Sequence, residues 1–445
     1  MPASPRRPDR AARAVSHIAV RDRLRGYVPH RGAGRTLAQV TLIDSIGTGL
    51  YLAGAAIFFV RSIGLTAAQV GLGLSVGAAV GFATTVPIGV LGDRLGPRRL
   101  LILSQLWRAA CLVALAFVSG VVAFTVVAAL MAIAEAATPS LTQAVVAAAV
   151  GGGESRVRNM AILRSTRNAG FSLGALLAVP LIAAGSAAAF RAIVFGDALS
   201  FAVAALILAR VPVTRPAAMR RRAGYLTVLR SFRDWRYARL ASLNSVLTLH
   251  MTILAFGIPL WLIHATSAPV GLVAVLMLLN TVMAVVLQVP FSRHATVPGG
   301  APRVLRLAGV MLAGCSVAIA AAAHVSSVFA AALLVLATAL LSLSEIWQAA
   351  GAWELSYRYA DPEREVQYLA VFSLGVTAQD VFGPALVTAV VISAGTAGWL
   401  GLAALFLVAT VLAGPATDAL ERASRPATMH DPTDPKEEPC CALTA

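Results

Sequence analysis

The sequence predicts an all-α membrane protein with twelve transmembrane helices arranged as two pseudo-symmetric six-helix bundles. Three observations support this fold class. The 445-residue chain has a mean hydropathy of +0.79, with 58% hydrophobic and 13% charged residues, a composition far from that of soluble domains. Its apolar residues are grouped into segments long enough to cross a bilayer, and landmarks of the first half of the chain recur in the second half.

Twelve segments are apolar enough and long enough to cross a membrane. A hydrocarbon core of about 30 Å requires about 20 apolar residues in a helix. Because the core holds no water to bond free backbone groups, each segment is expected to be helical. The predicted spans are 37–60, 70–91, 100–118, 121–148, 168–185, 190–209, 240–263, 269–291, 304–323, 327–349, 367–393 and 396–419.

Positive charge is concentrated in alternate loops. Nine arginines lie in residues 1–35 and nine in residues 210–239. The loops that alternate with the basic loops along the chain carry almost no Lys or Arg. Cytoplasmic loops carry an excess of Lys and Arg, so we expect both termini and the 210–239 loop to face the cytoplasm, with the chain in the cytoplasmic membrane. The regular alternation also indicates that the formal charge of +16 reflects membrane topology and not nucleic-acid binding.

An internal repeat divides the chain into two halves. A shift of 203 residues places the Val-Pro pair at 86–87 on the pair at 289–290, and a shift of 210 residues places Glu135 on Glu345. The predicted organisation is a basic cytoplasmic tail (1–36), an N-terminal bundle (37–209), a basic linker (210–239), a C-terminal bundle (240–419) and a cytoplasmic tail (420–445).

The loop between the second and third segments contains charges among glycines, in the stretch "GVLGDRLGPRRLL" at 89–101. This pattern resembles the signature loop of the major facilitator superfamily, and together with the helix count it is similar to the bacterial twelve-helix drug exporters of that superfamily. The resemblance implies a secondary transporter with its substrate site between the halves. It also implies that this loop is a gate latch, formed by Gly89, Asp93, Arg94, Gly96, Arg98 and Arg99.

The chemistry of the loop is consistent with a latch. Asp93 is placed to cap the positive N-terminus of a helix in the other half and to pair with Arg94 or Arg98, and such contacts would favour one facing state. The equivalent loop of the second half, at 292–303, has no acidic residue, so we expect the latch to be one-sided. The alternative is that these arginines only set the topology.

Ionisable residues inside spanning helices are costly and are functional candidates. The predicted helices contain Asp44, Arg108, Glu135, Asp197, His250, Glu345 and Asp380. The resemblance implies that helices one, four, seven and ten line the central cavity, which favours Asp44, Glu135, His250 and Glu345. Asp197 and Asp380 are on helices that usually pack elsewhere, and a structural hydrogen bond is the preferred interpretation for both.

Asp44 is the first candidate for proton coupling, because it lies about 12 Å along its helix from the cytoplasmic end at 1.5 Å per residue. The alternative is a permanent buried pair with Arg108. His250 is either a titratable site residue or a hydrogen-bonded core residue. Glu345 is expected to be partly solvated, and Trp347 beside it is placed either to stack on a substrate or to pack.

The sequence therefore predicts a secondary transporter that moves a small molecule by alternating access, without a cofactor and driven by the proton gradient. We expect efflux of amphiphilic or drug-like compounds, on the basis of the resemblance and of a cavity rich in acids and poor in arginine. Uptake of a metabolite or sugar is the alternative. An embedded transferase is the rival class, but the chain has no HExxH motif and no Walker A lysine. The expected partners are the substrate and membrane lipids, with no nucleic acid, and the expected state is a monomer.

Overall fold

The structure is a computed structural model that describes residues 32–61, 63–150, 152, 154–212 and 234–424. The predicted N-terminal tail, most of the linker and most of the C-terminal tail therefore lie outside the described residues. The described chain is helical apart from short turns.

Six helices form the part of the chain that we call the N-terminal half. They are α1 (Ala33–Arg61), α2 (Ala67–Leu95), α3 (Pro97–Leu115), α4 (Val121–Ala149), α5 (Glu154–Ala184) and α6 (Ala187–Leu208) among the described residues.

The C-terminal half contains six further helical rods in the described chain. They are α7 (Trp235–Ala265), α8 (Leu272–Thr296), α9 (Gly300–Ala322), α10 (Ser327–Tyr359), α11 (Glu365–Ala385) and α12 (Thr396–Ser424). Two of them contain a wider, π-helical turn: Ile253–Gly257 lies within α7, and Leu386–Ile392 continues α11.

Local sequence signals explain several helix boundaries. Thr66 begins α2 with a capping box, in which its hydroxyl accepts from the backbone of Gln69 while the Gln69 side chain accepts from the backbone of Thr66. Gly96 separates α2 from α3 with a φ of 89°, a conformation that glycine adopts without a steric penalty. Pro97 then occupies the first position of α3. An N–H at this position would have no partner within the helix, so the helix loses no hydrogen bond when proline lacks it.

Ten helices in the described part of the chain are long and apolar enough to cross a membrane. The predicted segments were too short at several ends: α5 begins at Glu154 and not at 168, and α10 continues to Tyr359 and not to 349. The hydropathy criterion left these helical turns out of the predicted segments, because the turns carry arginines and other polar side chains. The consequence for α5 is large, because its first turns hold the cations of the candidate site.

Helix packing repeats from one half to the other. In the N-terminal half α1 packs on α5 and α6, α2 on α4, and α3 on α4 and α6. In the C-terminal half α7 packs on α11 and α12, α8 on α10, and α9 on α10 and α12. The halves contact each other through α2 with α11, α5 with α8, and α4 with α11.

Glycines permit the closest approach within the N-terminal half. Gly170 and Gly174 of α5 are spaced four residues apart and lie against α1. A Cβ added at Gly174 would lie 2.1 Å from the carbonyl oxygen of Ile46, and one at Gly170 would lie 2.6 Å from Cβ of Ser45. Backbone contact of α1 with α5 therefore depends on both glycines.

The two halves are joined at one face, which we call the latch face: the face where α2 ends and α3 begins. Buried clusters there combine residues of both halves, such as Ile162 of α5 with Val289 of α8, and Leu141 of α4 with Val366 of α11. At the opposite helix ends, the cluster that contains Phe58 is confined to the N-terminal half. The apolar packing between the halves is therefore closed at the latch face.

Candidate functional site

The latch contact that the sequence led us to expect is present. Asp93 is buried, and its two carboxylate oxygens accept hydrogen bonds from the backbone N–H groups of Val366 (2.9 Å) and Gln367 (3.0 Å). These groups begin α11, so the carboxylate of α2 caps a helix of the other half, where the helix dipole favours negative charge.

Two glycines of α2 bring its backbone close enough for this cap. A Cβ on Gly89 would lie 2.6 Å from Cβ of Ala370, and one on Gly92 would lie 2.7 Å from Cγ1 of Val366. Of the two arginines expected to pair with Asp93, namely Arg94 and Arg98, the Arg98 guanidinium donates instead to the carbonyl of Val211 at 2.5 Å. Arg94 and Arg99 are exposed at the same face, which gives the latch a basic rim.

Further contacts across the halves surround the cap. The hydroxyl of Tyr357 on α10 donates to the backbone carbonyl of Gln143 on α4 at 2.8 Å. Arg156 of α5 lies 3.6 Å from the carboxylate of Glu365 on α11 and also donates to the carbonyl of Ala147. The latch face is thus closed by polar contacts as well as by apolar packing.

Asp44, the first candidate for proton coupling, belongs to a polar network between α1 and α3. Its Oδ1 accepts a hydrogen bond from Gln105 at 3.1 Å and lies 3.8 Å from Nη1 of Arg108. Arg108 itself is buried, with its guanidinium 3.9 Å from the centre of the Phe201 ring, a cation–π arrangement. The carboxylate of Asp44 remains 20% exposed, so it is paired and also accessible.

Asp197 of α6 lies beside this network but is fully buried. One of its oxygens accepts from the hydroxyl of Ser200 at 3.3 Å, which agrees with the structural hydrogen bond that was preferred for it. Because Gly47 has no side chain, Asp197 and Ser200 have room beside it. A Cβ added at Gly47 would lie 2.7 Å from Oδ1 of Asp197.

A second ion pair joins the two halves, and neither the local sequence pattern nor the resemblance predicted it. Arg164 of α5 lies 2.5 Å from Oε1 of Glu345 on α10, and both side chains are buried. Asn280 of α8 donates to the other oxygen, Oε2, at 2.9 Å. The expectation that Glu345 is partly solvated is therefore wrong: its carboxylate is held by a cation and an amide from two other helices.

Arg167 lies one helical turn beyond Arg164 and is exposed. The charges of Asp44 on α1 and Glu345 on α10 both act on it. The expectation of an arginine-poor cavity is therefore wrong. The predicted fifth helix began at residue 168, so it left out both arginines. Gly174, Gly170, Arg167 and Arg164 follow one another along α5 at spacings of four, three and three residues. This helical spacing, continued from the two glycines towards the start of α5, would have placed both arginines on the same side of the helix as the glycines.

Two further exposed carboxylates belong to different halves. Glu135 of α4 and Asp380 of α11 are both exposed, and the charge of Glu135 acts on Asp380 as well as on Asp44. Asp380 was expected to be a structural residue away from the cavity. The structure corrects this assignment, because Asp380 is exposed and within electrostatic range of a residue of the other half.

His250 is buried in α7, immediately before the π-helical turn. Its Nδ1 lies 2.8 Å from the carbonyl oxygen of Leu247, while within the described residues its Nε2 has no hydrogen-bond partner. The charges of Glu345 and Arg164 act on the ring. His250 is thus a buried imidazole with one ring nitrogen uncommitted among the described residues.

Trp347 packs at the latch-face end of the site. Its ring centre lies 5.7 Å from that of Phe291, and it borders the buried cluster of Val157, Ala295 and Ala350. It therefore covers the contact between α5, α8 and α10, which is the packing role that was one of its two interpretations.

The described residues contain no group of three or more His, Cys, Asp or Glu side chains that could hold a metal ion. What the site brings together is one carboxylate paired within the N-terminal half, one ion pair between the halves, and three exposed charged side chains.

Comparisons with known proteins give one family and several similar folds. The sequence profile described as Major Facilitator Superfamily matches residues 37–377. No curated protein matches the chain in sequence.

Three solved structures illustrate the similarity of fold. The human organic anion transporter MFSD10 (TETRAN) is 17% identical with a TM-score of 0.67, covering 86% of this chain and 98% of its own. A bacterial homologue of the iron transporter ferroportin, in an outward-facing state, is 13% identical with a TM-score of 0.69, covering 88% and 99%. The proton:xylose symporter XylE is 12% identical with a TM-score of 0.63, covering 86% and 95%.

Proposed function

The chain belongs to the major facilitator superfamily, and from that premise we propose that it is a secondary active transporter that moves a small molecule by alternating access. The observation that carries this proposal is the one-sided closure of the molecule. Polar contacts such as that of Asp93 with the start of α11 join the halves at the latch face, whereas the cluster around Phe58 at the other end stays within one half. Such an arrangement fits one facing state of a two-state transporter.

We further propose that all twelve described helical rods cross the membrane as two pseudo-symmetric six-helix halves. The support is the recurrence of the same helix pairings in both halves and the near-constant offset between their landmarks. α1 is not among the ten helices that qualify by length and composition, and neither is α3. The 19 residues of α3 include Arg98, Arg99 and Arg108, of which Arg98 and Arg99 lie at its latch-face end and Arg108 is paired inside the protein.

The proposed orientation places the latch face in the cytoplasm, in the cytoplasmic membrane, with both termini on that side. It is supported by the arginines of residues 1–35 and 210–239 and the positive-inside rule. The described state is then closed to the cytoplasm and open to the outside. The proposed partners are the substrate and membrane lipids, with the chain acting as a monomer that binds no nucleic acid and catalyses no covalent reaction.

The proposed driving force is the proton gradient, with no cofactor. Its support is the set of accessible carboxylates at the centre of the molecule: Asp44 is partly exposed, and Glu135 and Asp380 are exposed. An acid that both faces of the protein can reach in turn is able to carry a proton across it, provided that proton and substrate occupancy are coupled.

We propose efflux, by antiport, of amphiphilic or drug-like compounds. The support is the similarity of the 89–101 loop to that of twelve-helix drug exporters. Uptake of a metabolite or sugar is the second candidate, and it is favoured by the similarity of fold to a proton:xylose symporter.

The test is transport by the purified protein in proteoliposomes, measured against a panel of amphiphilic compounds and sugars with and without a proton gradient. We expect an amphiphilic compound to accumulate against its gradient only when protons flow the opposite way. Accumulation of a sugar together with protons would establish the second candidate. Fluxes equal to those of protein-free liposomes for every compound would overturn the proposal.

A further inference from the structure

The fifth helix directs a stripe of side chains towards the centre of the molecule. Gly170 and Gly174 face α1, where they contact Ser45 and Ile46. Arg164 faces α10, where it pairs with Glu345. Arg167 is three residues from both Arg164 and Gly170, and at 3.6 residues per turn its side chain projects between these two directions. It therefore points between α1 and α10.

The other charged groups around Arg167 already have partners. Its neighbours by charge are Asp44, Arg164 and Glu345. Asp44 is 3.8 Å from Arg108, and Glu345 is 2.5 Å from Arg164. Because each of these pairs is neutral as a whole, the charge of Arg167 remains as one net positive charge in this group of residues.

Arg167 itself makes no hydrogen bond or ion pair with any side chain of the described ranges, although it is exposed there. A guanidinium inside a membrane protein is costly when it is unpaired, so such residues generally face a water-filled cavity and mark a substrate or ion pathway. The planar group presents five N–H donors, which match the two oxygens of an oxyacid anion.

The acidic residues of the site occupy a different position. The charge of Glu135 acts on Asp44, Tyr51, Asp197 and Asp380, but Glu135 and Asp380 are not among the charges that act on Arg167. The exposed cation is thus on α5, whereas the exposed acids are on α4 and α11.

We propose that Arg167 binds the substrate, and that the substrate is a small amphiphilic molecule with an anionic oxyacid group, such as a carboxylate or a sulfonate. This inference rests on the proposed function, because it names the substrate class of the same cavity. Arg164 positions Glu345, whereas Arg167 contacts the anion directly.

The experiment uses four probes of the same size that differ in charge: 2-naphthoate, 2-naphthalenesulfonate, 2-naphthamide and 2-naphthylmethylammonium. Binding is measured by the thermal shift of the purified protein, and flux is measured in proteoliposomes. We expect the two anions to bind and to be transported, and we expect Arg167→Gln to weaken the binding of both at least tenfold. Arg167→Lys, which keeps the charge but loses the planar donors, should retain part of the affinity for the anions.

Arg306→Gln is the matched control, since Arg306 is exposed on α9 and hydrogen-bonds the carbonyl of Pro302 in its own helix. It removes the same charge and should leave anion binding unchanged. The wild-type preference among the four probes tests the proposal even if Arg167→Gln fails to fold.

Preference of the wild type for the neutral or cationic probe, or binding of none of the four, would overturn the assignment. An Arg167→Gln variant that loses the flux of every transported compound while binding the anions normally would also overturn it, since Arg167 would then act in the conformational change. In each of these cases the proposed function keeps its own test, namely proton-dependent flux with the wider panel.

Discussion

Arg164 and Glu345 form a buried ion pair, 2.5 Å between Nη2 and Oε1, that ties α5 of the N-terminal half to α10 of the C-terminal half. Opening of the latch face must separate these helices. Because a charge left unpaired in a buried position is costly, the pair favours the closed arrangement for as long as both partners are charged.

We predict that Glu345→Gln destabilises the protein more than the double variant Arg164→Gln/Glu345→Gln. The single change leaves Arg164 buried without a counter-charge, at a cost of about 3–5 kcal/mol, whereas the double change leaves no charge behind. Thermal unfolding of the wild type, both single variants and the double variant forms a complete cycle. Additive effects of the two single changes would show that the pair contributes nothing to the folded state.

We predict that Asp93→Asn impairs transport while expression and substrate binding are largely retained. The change removes the negative charge that caps α11 in one facing state, and it leaves the central residues untouched. Asp361→Asn is the control, because Asp361 accepts from the backbone of Glu363 in its own turn and caps no helix of the other half. Transport by Asp93→Asn at the wild-type rate would reduce the loop to a topology signal.

Asp44→Asn is predicted to abolish gradient-driven accumulation and to spare downhill exchange. If Asp44 carries the coupling proton, the variant can neither take up nor release it, so the dependence of substrate binding on pH should become flat. Accumulation measured in proteoliposomes at several pH values checks this prediction.

The alternative for Asp44 is a structural pair with Arg108, and the second variant Asp44→Asn/Arg108→Gln separates the two roles. A structural pair predicts that the double variant regains the stability lost by Asp44→Asn and still accumulates substrate. Uphill transport by Asp44→Asn with an unchanged pH dependence would direct attention to Glu135 or Glu345.

The orientation is tested by single cysteines on either face. A cysteine replacing Arg210, after α6, should be shielded from an impermeant thiol reagent in intact cells and labelled after lysis. A cysteine replacing Ser326, before α10, should be labelled in intact cells. Labelling of the first and protection of the second would reverse the orientation.

Gly174→Ala is predicted to destabilise the N-terminal half, because its Cβ would lie 2.1 Å from the carbonyl oxygen of Ile46. Overpacking of this kind costs about 1–3 kcal/mol. Gly401→Ala on α12 is the control, since its added Cβ meets no atom within 4 Å, and it should be neutral or slightly stabilising through helix propensity. Equal thermal stability of the two variants would contradict the packing argument.

The helical fold and the latch could be predicted from local sequence patterns. Apolar runs separated by short turns identify the helices because the bilayer demands both length and hydrophobicity. The cap formed by Asp93 could be predicted from the resemblance of the 89–101 loop to a known signature loop, together with the preference of a carboxylate for a helix N-terminus.

The centre of the site could not be predicted in the same way. Arg164 lowers the local hydropathy of α5, and the carboxylate that compensates it, Glu345, is supplied by a helix 181 residues away in sequence. A hydropathy value averaged along the chain does not include a partner so distant in sequence. For the same reason the position of Asp380 relative to Glu135 required the packing of α11 against α4, which is a property of the whole fold.

The lengths of the helices place the latch at the edge of the bilayer. α10 has 33 residues and α5 has 31, which at 1.5 Å per residue gives about 50 and 46 Å against a hydrocarbon core of about 30 Å. Tyr357, Arg156 and Asp93 each lie within the terminal turn of their helix, so they are at the depth of the lipid headgroups. When the latch opens, water can replace the hydrogen bonds that these side chains make. The backbone N–H groups that lose their partners then face water, and none of them has to enter lipid unbonded.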